Sequence, residues 1–121
     1  VVSLVIAAVI IAGTWGLLRD SINLALDAVP EGIDEREVKD YLAALPTCSE
    51  VHDLHIWGMS TTESALTAHL VMGRAVCDDA FLAQIARALH DRFGIEHTTL
   101  QVENGDPLYP CSCRLSPQKG V

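Results

Sequence analysis

Charge is missing where the chain begins: residues 1 to 18, VVSLVIAAVIIAGTWGLL, contain no Asp, Glu, Lys or Arg. Every such side chain lies beyond Leu18, and basic ones are scarce, 8 against 16 acidic, for a net charge of −8. A protein that grips a phosphate backbone needs surplus Lys and Arg on one face, so nucleic acid is excluded as the partner. The four cysteines fall in no regular framework, which excludes a secreted disulfide scaffold. No glycine-rich phosphate loop, Ser-His-Asp order or pair of catalytic carboxylates is present, and an enzyme is not indicated. His-x3-His and Cys-x2-Cys pairs are missing too, so any metal site must be assembled from residues distant in sequence.

What is present at the start is a membrane-length apolar run. Eighteen residues at about 1.5 Å each make a helix of about 27 Å, close to the roughly 30 Å of a bilayer's hydrocarbon layer. Trp15 stands near its end, where amphipathic rings prefer the interface. Arg19 follows, and the positive-inside tendency puts residues 19–121 in the cytoplasm, although Asp20 weakens that signal. A signal peptide is the rival reading, opposed by the lack of a basic leader before the run. A buried core helix is the other, opposed by the lack of a polar stripe. The start without a Met suggests a piece of a longer chain.

Residues 20 to 29 keep a helical apolar spacing at Ile22, Ala25, Leu26 and Val29, so residues 19–30 are expected to form a helical linker, broken at Pro30 and Gly32. A second helix should start with Asp34 as N-cap, Glu37 as capping-box partner and Ile33 with Val38 as hydrophobic staple. Its buried stripe is Val38, Tyr41, Leu42 and Leu45, and Pro46 ends it. Two strands come next, Val51 to Met59 and Ser64 to Met72. In the second, Leu66, Ala68, Leu70 and Met72 share one face and Ala65, Thr67, His69 and Val71 the other. In the first, strict alternation groups His52 with Leu54 and Ile56, opposite His55, Trp57 and Met59. Asp78 or Asp79 caps a third helix with Phe81, Leu82, Ile85, Ala86, Leu89 and Phe93 at its period, and Gly94 stops it. A last strand runs from His97 to Glu103 with Thr98, Leu100 and Val102 inward. The fold class is therefore α+β, an αββαβ domain over residues 31–104 whose helices cover one sheet face and leave the other for a partner. Residues 105–121 read as a tail.

Zinc and related divalent ions want imidazole, thiolate and carboxylate together. His52, His69, His97 and Glu103 all fall on strands, with His97 and Glu103 of equal parity and His69 on the non-core side, so convergence is open to them. Solvated strand histidines are the plain alternative. Cys111 and Cys113 could complete such a shell or form a strained disulfide, with the metal use favoured in a reducing cytosol; a redox role lacks a helix N-terminus to lower a thiol pKa. Cys48 and Cys77 read as inert buried thiols, His55 as a ligand or the hydrogen-bonding partner of a turn, and His90 as a cation favoured by the helix dipole beside Asp91.

The string VHDLHIWGMSTTESALTAHL, residues 51 to 70, resembles the cytoplasmic domain of the cation diffusion facilitator family of zinc and related metal transporters. WGLLRDSINLALDAVP, residues 15 to 30, resembles the end of that family's last membrane helix and its linker, and HTTLQVE, residues 97 to 103, its final strand. The resemblance implies a ferredoxin-like, metallochaperone-like αββαβ domain that forms a homodimer through its open side. It implies His52, His69, His97 and Glu103 as ligands, with Cys111 and Cys113 resembling the tail cysteines of the zinc branch, here spaced Cys-x-Cys. Gln101 stands where some members have a further histidine. The implied cation is Zn2+, with Cd2+, Co2+ and Ni2+ as alternatives. The implied setting is a multi-pass inner (plasma) membrane antiporter, tethered to the lipid bilayer through residues 1–18. The family's transport carboxylates lie on helices that this chain does not contain. A membrane-tethered metal sensor without transport is the alternative function.

Overall fold

The computed structural model describes residues 1–72, 78–106 and 108. Helix α1 spans Val2–Ala25 and buries none of its residues against the rest of the chain. Its 24 residues make it about 36 Å long. It is long and apolar enough to cross a membrane, with a mean hydropathy of 2.0. Residues 19–25 continue it without a break, but the helical path ends at Ala25, before the expected end of the linker. Leu26 leaves helical geometry, and Asp27 takes a left-handed turn at φ 51°. The chain turns earlier than Pro30 requires.

Helix α2, Glu35–Ala43, starts where its cap residue predicts. The Asp34 carboxylate accepts from the Arg36 amide at 2.8 Å, filling one of the bonds that a helix start leaves open. Val38 and Leu42 are completely buried; Tyr41 and Leu45 pack at the margin of the core. Strand β1, Cys48–Gly58, begins three residues earlier than its apolar pattern indicates. Strand β2, Ser64–Met72, helix α3, Asp79–Phe93, and strand β3, His97–Glu103, complete the domain. Asp78 caps α3 by accepting from the Phe81 amide at 2.8 Å, and Gly94 ends it at φ 66°, a conformation that suits glycine.

The sheet order is β1-β2-β3, with β1 antiparallel to β2 and β2 parallel to β3 through α3. A parallel pair needs such a crossover, and here the helix supplies it. On one face Val51, Ile56, Leu66, Ala68, Leu70 and Met72 meet Val38 and Leu42 of α2 and Ile85 and Leu89 of α3. Each large side chain buried there contributes about 1.5–3 kcal/mol. This is the α+β architecture expected from the sequence, with both helices on one side of the sheet.

One register detail corrects the strict alternation in β1. His52 faces His69, whereas His55 faces Thr67, so three steps along β1 match two along β2. The extra residue is accommodated by Asp53 at φ 52°. A β-bulge of this kind reverses the parity beyond it. Val51 and Ile56, five apart, therefore both enter the core, and His52 lies opposite Ile56 in facing. His55 and Trp57, opposite Thr67 and Ala65, join His52 on the open face.

Candidate metal centre

The open face carries the titratable side chains of all three strands. His52 sits directly across from His69, with ring centroids 5.1 Å apart in an edge-on arrangement. β3 brings Glu103 alongside Val71, two positions beyond His69 on β2, which places its carboxylate between the two rings. Glu103 Oε1 lies 2.9 Å from His69 Nδ1, and Oε2 lies 3.4 Å from His52 Nε2. Gln101, the strand neighbour of His69, donates from Nε2 to the same Oε1 at 3.2 Å. The side chains of His52, His69 and Glu103 are only 16–18% exposed, so solvent screens them weakly.

Two imidazoles and one carboxylate with donor atoms all within 4.8 Å of one another form a set that could hold a metal ion. For bonds near 2.1 Å, tetrahedral zinc spaces its ligand atoms roughly 3.4 Å apart. The 3.4 Å separation matches that value and the 2.9 Å one is about 0.5 Å shorter, and the donors are of the borderline type that zinc and its neighbours accept. The residues fit a divalent cation.

Among the described residues, one expected partner, His97, is not part of this group. His97 shares the open face but pairs with Ala65, four positions along β2 from His69, or about 13 Å at strand spacing. Within one chain His97 does not converge with the other three: equal parity sets its face, while it stands six positions along the strand from Glu103. Cys111 and Cys113 lie outside the described residues, as does Cys77.

Of the remaining candidates, Cys48 is half-buried against the core. Burial pushes its thiol pKa up, partly opposed by a backbone hydrogen bond at Glu50, which disfavours the reactive thiolate. His55 Nε2 meets its neighbour Asp53 at 3.1 Å, in line with its reading as a local partner. His90, in the last turn of α3, pairs with Asp91 at 3.1 Å. Sequence reasoning overlooked Asp53, whose other oxygen stands 3.6 Å from His69 Nε2. The available signal was its place between two histidines in the string His52-Asp53-Leu54-His55.

The geometry thus defines a class: a small α+β domain, joined to a membrane-length helix, whose open sheet face gathers nitrogen and oxygen donors suited to a divalent cation. Comparison with known proteins makes it particular. Residues 30–105 match the family described as cation efflux protein, cytoplasmic domain, and the chain belongs to that family. It is 35% identical over 111 residues to the cation efflux system protein CzcD of Alcaligenes sp. strain CT14, covering 91% of this chain and 34% of that protein. It is 32% identical over 117 residues to the zinc transporter ZitB of Shigella flexneri, covering 96% of this chain and 37% of the relative. The chain therefore spans about a third of the length of these relatives. Its fold matches the metal-bound C-terminal domain of the CzcD transporter from Cupriavidus metallidurans with a TM-score of 0.53 and 36% identity, covering 59% of this chain and 99% of that domain.

Proposed function

We propose that this chain is the last membrane helix and cytoplasmic regulatory domain of a divalent-metal efflux transporter, with zinc the foremost cargo and proton exchange the driving reaction. On this reading residues 1–18 sit in the inner membrane, and residues 19–121, with the αββαβ domain, face the cytoplasm. The observation that carries the regulatory part is the meeting of His52, His69 and Glu103 on the open sheet face. Family membership, and the transporter and efflux names of the relatives, support the transport part.

The chemistry follows from charge. Two copies of a chain with net charge −8 repel, most strongly where acidic groups face each other across little solvent. A divalent cation supplies positive charge and coordination bonds. Glu103 then presents its carboxylate to a cation instead of to a second negatively charged protomer, and His52 and His69 offer neutral nitrogens that need no counter-charge. The closed dimer gains stability relative to the open one, and α1, continuous through Arg19 to Ala25, carries that shift toward the membrane. His97 stands at the other end of the open face and is left out of this site.

Zinc titration calorimetry on the full chain in nanodiscs tests the binding step. The wild type binds zinc, and His69→Ala lowers the affinity at least tenfold; equal affinities would refute the ligand assignment. Neutron scattering with the lipid contrast-matched tests the closing step: an envelope that zinc leaves unchanged after chelation would refute it.

A further inference from the structure

The bulge in β1 gives His69 a second carboxylate. Asp53 holds a left-handed backbone conformation at φ 52°, which carries strain for a residue with a Cβ. Such strain persists where the surroundings demand it, and bulges commonly serve to redirect a side chain. Here the redirected side chain reaches two imidazoles: Oδ1 lies 3.1 Å from His55 Nε2 and Oδ2 lies 3.6 Å from His69 Nε2. Glu103 holds the other ring nitrogen of His69, Nδ1, at 2.9 Å. His69 is thus flanked by acids at both nitrogens, with Glu103 on the side of His52 and Asp53 on the side of His55.

We infer that Asp53 is a positioning residue for the metal centre: its carboxylate, 3.6 Å from Nε2 of His69, closes on metal binding to accept a hydrogen bond from Nε2–H, so that Nδ1 is the nitrogen offered beside Glu103 and His52. The inference rests on His52, His69 and Glu103 being the ligands. A metal-binding histidine regularly gives its second ring N–H to a carboxylate, which fixes the tautomer, orients the ring and raises its basicity. Asp53 is placed for that role and His55 anchors its second oxygen, so the chain of contacts runs His55, Asp53, His69, Glu103, His52.

The test uses the full chain in nanodiscs, Asp53→Gly and Asp53→Asn, zinc calorimetry and long-range 1H–15N correlation of the histidine rings. Both substitutions suit a positive φ, so each variant keeps the bulge. In the zinc-loaded wild type, Nδ1 of His69 is the metal-bound nitrogen and Nε2 carries the proton. Asp53→Gly lowers zinc affinity about tenfold to a hundredfold, in the range for loss of such an orienting carboxylate, and allows metal on either nitrogen. Asp53→Asn keeps an acceptor, so it retains Nδ1 ligation and loses less affinity. Asp53→Gly within twofold of wild type, or Nε2 ligation in the wild type, overturns the inference while the ligand set stands. A wild type that binds no zinc overturns the ligand set itself.

Discussion

The two faces of the sheet differ more than any two elements of the chain. On the helix-covered face, Leu66, Leu70 and their partners are closed off from water, and the cost of any change there is a cost to folding. On the open face, His52, His69, Gln101 and Glu103 hold one another through polar contacts that leave the core untouched. Neighbouring residues of a single strand thus belong to different physical problems: Leu70 to stability, His69 to recognition.

The largest effect that would break this contrast is expected from Leu70→Ala. Leu70 is completely buried, so the lost transfer energy and the cavity together cost about 2–5 kcal/mol, read by thermal melting of the full chain. Zinc affinity of the protein that remains folded should stay within a few-fold of wild type; a collapse of both would show that the faces are coupled.

His52→Ala sharpens the contrast from the other side. Zinc affinity should fall at least tenfold, about 1.4 kcal/mol, while the metal-free melting temperature moves much less than with Leu70→Ala. At the border between the faces, Gly94→Ala places a Cβ at φ 66°, which costs about 1 kcal/mol without touching zinc binding.

The smallest effect concerns the rim, where Ser64 and Glu96 tie β2 to the end of α3. The Glu96 carboxylate accepts from the Ser64 amide at 2.8 Å and its hydroxyl at 3.1 Å, which holds its pKa below the ordinary 4.5. A depressed carboxylate pKa stabilises the fold above the unfolded-state value, and that stability is lost as pH falls through the lower, folded-state value. The wild type should therefore lose melting temperature more steeply below about pH 4.5 than Glu96→Gln does, by a small margin because the carboxylate is exposed. Parallel pH profiles would show that Glu96 adds nothing to acid stability.

How far the site was legible depended on which geometric fact each residue required. Facing on β2 and β3 could be read from alternation, because neither strand contains an irregularity: Leu66, Ala68 and Leu70 are in the core, and His69 lies opposite them. The helix ends at Asp34, Asp78 and Gly94 were legible because capping is local chemistry between residues two or three apart. Facing on β1 was misread beyond His52, since one residue in a left-handed conformation reverses all later parity and nothing in an Asp signals it in advance. Where His97 sits along the sheet needed a different fact: parity says which side of a sheet a residue occupies but not which end.

By itself, then, the sequence determined the elements, their order, the apolar first helix and the family, because these follow from short-range periodicity, caps and the string around His52 and His69. Only the tertiary structure decided that Glu103, not His97, meets the two imidazoles, and that Asp53 reaches the far side of His69. Register and bulges are settled by how the strands close the hydrophobic core as a whole, and a ligand set drawn from three strands inherits its geometry from that closure.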